Sequence, residues 1–201
     1  DVLSTKNWLA HLIDHMENDP NIAMIGPRMP FGPKAQAARV KYRSPKKEMQ
    51  KFARGLYSRN KGQVEDLQCL NEACVLIRRS ALTELGEFDS GFKTWAFLDD
   101  LSRRFRQQQL RVACAQDVFV HCSEAPVSTE EENLERKAVA QLEVGDRHRS
   151  AGEAEAAIAS YKEALEAKPE YLEATMVLSA ALLEEDRAAE AAEPLRVLVA
   201  K

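Results

Sequence analysis

Two adjacent carboxylates, Asp99 and Asp100, open a run, residues 99–109, that reads as a helix. Acids in a first turn cap a helix; the dipole that favours them there also keeps them ionised, the state in which a carboxylate accepts a proton. His121 ends a short apolar stretch, Val118–His121, where an imidazole on its own reads as an ordinary, partly buried histidine. His11 and His15 stand one helical turn apart, a spacing that lets two imidazoles share a metal ion. No third ligand is near them in sequence, so the pair reads as a solvated helix face. Trp8 and Trp95 read first as packing residues. Cys69, Cys74, Cys114 and Cys122 form no C-x-x-C pair and read as reduced, mostly buried thiols.

These groups need elements to hold them. Trp8, Leu9, Leu12, Ile13 and Met16 form one stripe of an amphipathic helix over residues 5–18, ended by Asn-Asp-Pro-Asn at 18–21. Residues 22–26 and 74–77 read as short apolar strands, and 80–85 as a short helix stopped by Gly86. Two further strands are expected at 111–114 and 118–121. Strands alternating with helices predict an α/β layer with a mostly parallel sheet. Between Lys34 and Lys61 the chain has ten Lys or Arg against one acid, Glu48. There Met49, Phe52, Ala53, Leu56 and Tyr57 give a basic helix an apolar stripe near residues 46–58. That stripe can cover the sheet, or lie on an anionic membrane surface, or sit near a phosphorylated acceptor.

From Thr129 the pattern changes. The net charge of −4 over 201 residues conceals +4 in residues 1–128 and −8 in 129–201, a shift that marks a boundary. Helices are expected from 130, over 154–167, over 171–183 and over 188–200, with Pro169 closing the second. Offset by 34 residues, Ala157 meets Ala191, Ala164 meets Leu198 and Leu165 meets Val199. Gly145 lets two helices approach, Ala157 is the small contact, and Tyr161 fills the space beside Ala164. This pattern resembles the tetratricopeptide repeat, whose period is about 34 residues. The last copy is incomplete, which predicts a chain that continues past Lys201.

Three segments of the first half also resemble one family when taken in order. They are Asp1-Val-Leu-Ser-Thr-Lys-Asn-Trp-Leu (1–9); Cys74-Val-Leu-Ile-Arg-Arg-Ser-Ala-Leu-Thr-Glu-Leu-Gly-Glu-Phe-Asp (74–89); and Leu98-Asp-Asp-Leu-Ser-Arg-Arg (98–104), followed by Val118-Phe-Val-His121. Together they resemble family-2 inverting glycosyltransferases of the GT-A fold, and the resemblance spans residues 1–123. The family's acidic motif, Glu-Asp-x-Asp-Leu, reads Phe97-Leu98-Asp99-Asp100-Leu101 here. The resemblance implies a partial GT-A, Rossmann-like α/β sheet with flanking helices over 1–123. A linker and the start of a helix would follow over 124–136, then an all-α tetratricopeptide array over 137–201.

By the same resemblance, Asp99 or Asp100 is the general base, and Asp1 and His121 hold a divalent metal, Mn2+ or Mg2+. Asp1 also contacts the donor, a nucleotide-sugar. Trp95 and Glu72 lie on the side of the acceptor, a hydroxyl of a glycan or protein. Arg103 or Arg104 is expected to pair with the nearby carboxylates. The nucleotide-binding half would precede Asp1, so this chain alone is expected to be inactive. The repeats imply a groove for a protein or peptide partner. A pI of 5.7 with only a local basic stretch argues against nucleic acid. The absence of an apolar span or a signal-like start predicts a cytoplasmic protein, with a possible peripheral seat on the inner face of the membrane.

Overall fold

The structure is a computed structural model that describes residues 2–33, 35–42, 44–85, 88–89, 91–123 and 129–199. It divides into two compact units, one of residues 1–88 with 98–127, the other of 89–97 with 128–201.

The first unit is a mixed sheet flanked by helices. Its elements are β1 (Val2–Ser4), α1 (Trp8–Asn18), β2 (Ile22–Arg28), α2 (Pro45–Asn60), β3 (Val64–Asp66), β4 (Leu76–Ile77) and α3 (Arg79–Leu85). They are followed by α4 (Phe97–Gln107), all but its first residue in this unit, and β5 (Arg111–Cys122). The strand order is β1-β5-β2-β4, and β3 also pairs with β5. Only β2 and β5 run parallel; β1 and β3 on β5, and β4 on β2, are antiparallel. The expectation of a mostly parallel sheet is therefore corrected. One long strand offers an edge that β3 takes at residues 113–115 and β1 at 120–122.

The two strands expected at 111–114 and 118–121 are also one strand. Gln116 and Asp117 look like a break but remain in it, because neighbouring groups satisfy them. The Gln116 amide donates to the Gln63 carbonyl (2.9 Å), and its side chain donates to the Ala35 carbonyl (3.2 Å). The irregularity surfaces as a bulge, the register on β2 passing from Pro27↔Ala115 to Arg28↔Phe119.

Leu12 and Met16 of α1 pack on Ile22, Ile25, Ala113, Ala115 and Val118. Leu9 and Ile13, placed on the same stripe by their spacing, remain exposed, so the buried face of α1 is narrower than its pattern implies. On α2, Met49 and Leu56 are buried with Ala38 and Phe119, each such side chain contributing about 1.5–3 kcal/mol. The apolar stripe of this basic helix covers the sheet.

The second unit is helical: α5 (Glu130–Ser150), α6 (Ala154–Ala167), α7 (Leu172–Glu184) and α8 (Ala188–Val199). Thr129 caps α5 by accepting from the Glu132 amide at 3.1 Å, and three acids follow in the first turn. Gly152, with φ of 77°, turns the chain between α5 and α6 where a side chain would be strained. Ala138, Leu142, Ala157, Ile158, Tyr161, Ala164, Ala174 and Leu178 are among the residues that form its core.

Candidate functional site

α4 begins at Phe97, so both aspartates sit in its first turn. Asp100 is buried and grips two guanidinium groups: Arg104 Nε donates to its Oδ2 at 2.9 Å, and Arg103 Nη2 to its Oδ1 at 3.4 Å. Arg103 is itself only 1% exposed, so this carboxylate is committed to neutralising a buried cation. The spacing-based pairing of Arg103 and Arg104 with the acidic motif is present, and both arginines take part. Asp99 is half-buried. Of the two carboxylates, it is the one with a face toward solvent.

His121 is buried near the end of β5, with its Nδ1 2.7 Å from Tyr42 Oη. Burial holds the imidazole below its ordinary titration range and pushes the Tyr42 phenol up to about 12. When His121 Nδ1–H donates to Tyr42 Oη, Nε2 carries the lone pair that a metal ion needs. Asp1 lies outside the described residues. Its neighbour Val2 pairs with Cys122, the neighbour of His121, across β1 and β5. Among the described residues, no group of three or more His, Cys, Asp or Glu side chains is placed to hold a metal ion. His121 suits a ligand; the rest of the expected set is not assembled by the described residues.

Trp95 is 53% exposed and lies 5.7 Å from the Phe97 ring, in the 89–97 segment that clusters with the helical unit. It is a surface aromatic, which corrects the first reading of it as a packing residue. Glu72 is half-buried in the stretch before β4, beside Asn71, whose amide donates to Gln36 Oε1 at 2.9 Å.

Several polar groups have partners that their spacing does not imply. His15 is not solvated: its Nε2 meets Asp117 Oδ1 at 2.7 Å, and Asp117 Oδ2 accepts from the Gly62 amide at 2.8 Å. Burial alone would raise the Asp117 pKa, but the His15 and Gly62 hydrogen bonds hold it below the ordinary range. His11 stacks near Tyr57, with ring centroids 4.6 Å apart. Only Cys114 is buried; Cys69, Cys74 and Cys122 are half-buried, and none of the four is bridged. Burial pushes the Cys74 thiol up to about 11 and that of Cys114 to about 12, so neither is primed as a nucleophile. Arg78, within the Leu-Ile-Arg-Arg run, donates to the carbonyls of Ile22 (3.0 Å) and Asp19 (3.3 Å), tying down the end of α1.

In the helical unit, Gly145 lets α5 approach α6 closely, and Tyr161 packs directly against it. A Cβ on Gly145 would lie 2.3 Å from Tyr161 Cε1, and Tyr161 Oη donates to Asp146 Oδ1 at 3.1 Å. Ala157 and Ala164 are fully buried in the same core, and Pro169 follows the end of α6. A groove of about 490 Å³ lies between α6, α7 and α8, lined by Leu165, Pro169, Leu178 and Leu182 with Lys162 and Glu190. A second device was not expected: Glu135 accepts from the Lys93 amide (3.0 Å), the Thr94 amide (3.2 Å) and Lys168 Nζ (3.2 Å). It clasps the 89–97 segment onto the helices.

Among the described residues, no helix is long and apolar enough to cross a membrane. Compared with known proteins, the chain matches no family model, no curated protein and no solved structure.

Proposed function

We propose that this chain carries the acceptor-side half of an inverting, GT-A-type glycosyltransferase followed by tetratricopeptide hairpins. The observation that carries the reading is the β1–β5 pairing, which sets the neighbour of Asp1 opposite the neighbour of His121. In the resembling family those two positions serve one diphosphate. Asp99 takes the proton of the acceptor hydroxyl as its oxygen bonds to the sugar carbon and the bond to the diphosphate breaks. Asp100, held by Arg103 and Arg104, positions that turn of α4. His121, oriented by Tyr42 and kept neutral by burial, is suited to ligate a divalent metal, with Asp1 as its expected partner. A bound Mn2+ or Mg2+ supplies charge compensation for the departing diphosphate. The hairpins, with Gly145, Tyr161 and Ala157 at their contact, offer the groove for a protein, peptide or acceptor.

Sugar transfer by the natural protein containing this sequence tests the reading. Asp99→Asn is expected to lower kcat by at least about a hundredfold while leaving the fold intact. Unchanged turnover would sink the base assignment. A second reading, a non-catalytic tetratricopeptide scaffold with a degenerate transferase domain, is favoured by the commitment of Asp100 to Arg103 and Arg104. It predicts no transfer in the unaltered protein under any donor tried.

A further inference from the structure

A cavity of about 640 Å³ in the sheet unit lies outside the acidic motif and does not include His121. Its walls come from the start of α1, one side of α2 and residues 117–119 of β5. Lys6 and Arg54 line it, and among the described residues neither side chain has an acidic partner. The one carboxylate in the lining, Asp117, has both oxygens engaged, by His15 and by the Gly62 amide. Tyr57 and His11 stand as a ring pair against the same space, and Trp8 adjoins them. α1 contributes no acid in its first turn, so nothing on that wall opposes a negative charge.

We propose that this cavity binds a phosphate monoester, its phosphate held by Lys6 and Arg54 and the group it esterifies packed against His11 and Tyr57. Lys6 and Arg54 are both exposed on the rim of this concavity, and its single carboxylate, Asp117, is bonded to His15 and Gly62 rather than to either cation; phosphate geometry suits an arginine fork beside a lysine. The volume falls within the range of small-molecule sites, roughly 300–1,000 Å³. The phosphate could belong to a soluble metabolite or to a lipid headgroup; the chemistry at Lys6 and Arg54 is the same. The proposal stands independently of sugar transfer, since it uses neither Asp99 nor His121.

Calorimetric titration of the chain with AMP and with inorganic phosphate, and co-sedimentation with phosphatidic acid vesicles in phosphatidylcholine, test it. Each is repeated on Lys6→Ala, Arg54→Ala and, as a charge-matched control outside the cavity, Lys47→Ala. Circular dichroism verifies that each variant is folded. AMP or phosphate binding that weakens by about tenfold or more in both cavity variants, but by less than about twofold in Lys47→Ala, supports the site with a soluble ligand. Binding only to phosphatidic acid vesicles, with the same dependence, supports it with the headgroup as the source. No binding to any probe, or an equal loss in Lys47→Ala, would overturn it.

Discussion

The two units hold themselves together by opposite means. The helical unit is built from small residues: Ala138, Ala157, Ala164, Ala174 and Gly145 bring helices close, and Tyr161 fills what they leave. Each of its helices packs mainly on the next in sequence, and Glu135, Lys168 and the Phe92–Tyr171 ring contact hold the 89–97 segment to them. The sheet unit instead hangs on β5, which pairs with β1, β2 and β3, elements drawn from much of the preceding chain. Both units bury charge: Asp100 with Arg103 and Asp117 with His15 in the sheet unit, Glu135 with Lys168 in the helical one. Packing between successive helices tolerates damage one hairpin at a time, whereas a shared central strand fails as a whole.

The sharpest break in that contrast is Asp100→Ala, which leaves buried Arg103 without this carboxylate. We expect about 3–5 kcal/mol of destabilisation, with loss of the whole sheet unit in one urea transition followed by Trp8 fluorescence in a Trp95→Phe background. A partial, separable transition would show that the sheet is less cooperative than its topology implies. Gly145→Ala comes next, at about 1–3 kcal/mol, because its methyl must displace the fully buried Tyr161 ring. Its effect should appear in the helical unit and leave the Trp8 transition unmoved.

Acid sharpens the comparison further. Asp117 and Glu135 both titrate below their ordinary ranges in the fold, Glu135 because the Thr94, Lys93 and Lys168 hydrogen bonds outweigh the raising effect of burial. Carboxylates depressed by folding stabilise fully above about pH 4–5 and lose that contribution as pH falls through their folded values. Asp117→Asn should flatten the acid limb reported by Trp8, and Glu135→Gln the limb reported by Trp95. An unchanged limb in either variant would remove that carboxylate from the account. The smallest effect concerns His121. Its imidazole should titrate below about 6.5 by NMR, and Tyr42→Phe should cost only about 0.5–1.5 kcal/mol. A midpoint above 6.5 would contradict the buried, neutral ring.

Much of the helical unit was legible because its signals are local. The pattern placed breaks near Ser150–Gly152, before Pro169 and at residues 184–186, and α5 to α8 begin and end there within a residue or two. The sheet unit was harder. The strand expected at 22–26 is present, and that expected at 74–77 is shortened to Leu76–Ile77, but β3, with two exposed residues among its three, carries no such pattern. The break at Gln116–Asp117 was misread because the groups that satisfy those polar residues, Gln63, Ala35, Gly62 and His15, come from elsewhere in the chain. Within the candidate site, the types and spacing of Asp99, Asp100, Arg103 and Arg104 were visible. The division of labour between the two aspartates was not, since it depends on which one the fold encloses.

Residue order alone determined the acid-rich helical tail, its helix breaks and the proximity of the aspartate pair to Arg103 and Arg104, since helical geometry converts i, i+3 and i, i+4 spacings directly into proximity. Tertiary structure alone decided that β5 is one strand with mostly antiparallel neighbours, that His15 turns inward to Asp117, and that Lys6 and Arg54 share a cavity. Those outcomes join residues about fifty to more than a hundred positions apart, where the sequence records what each group can do but not which partner the closed chain brings to it.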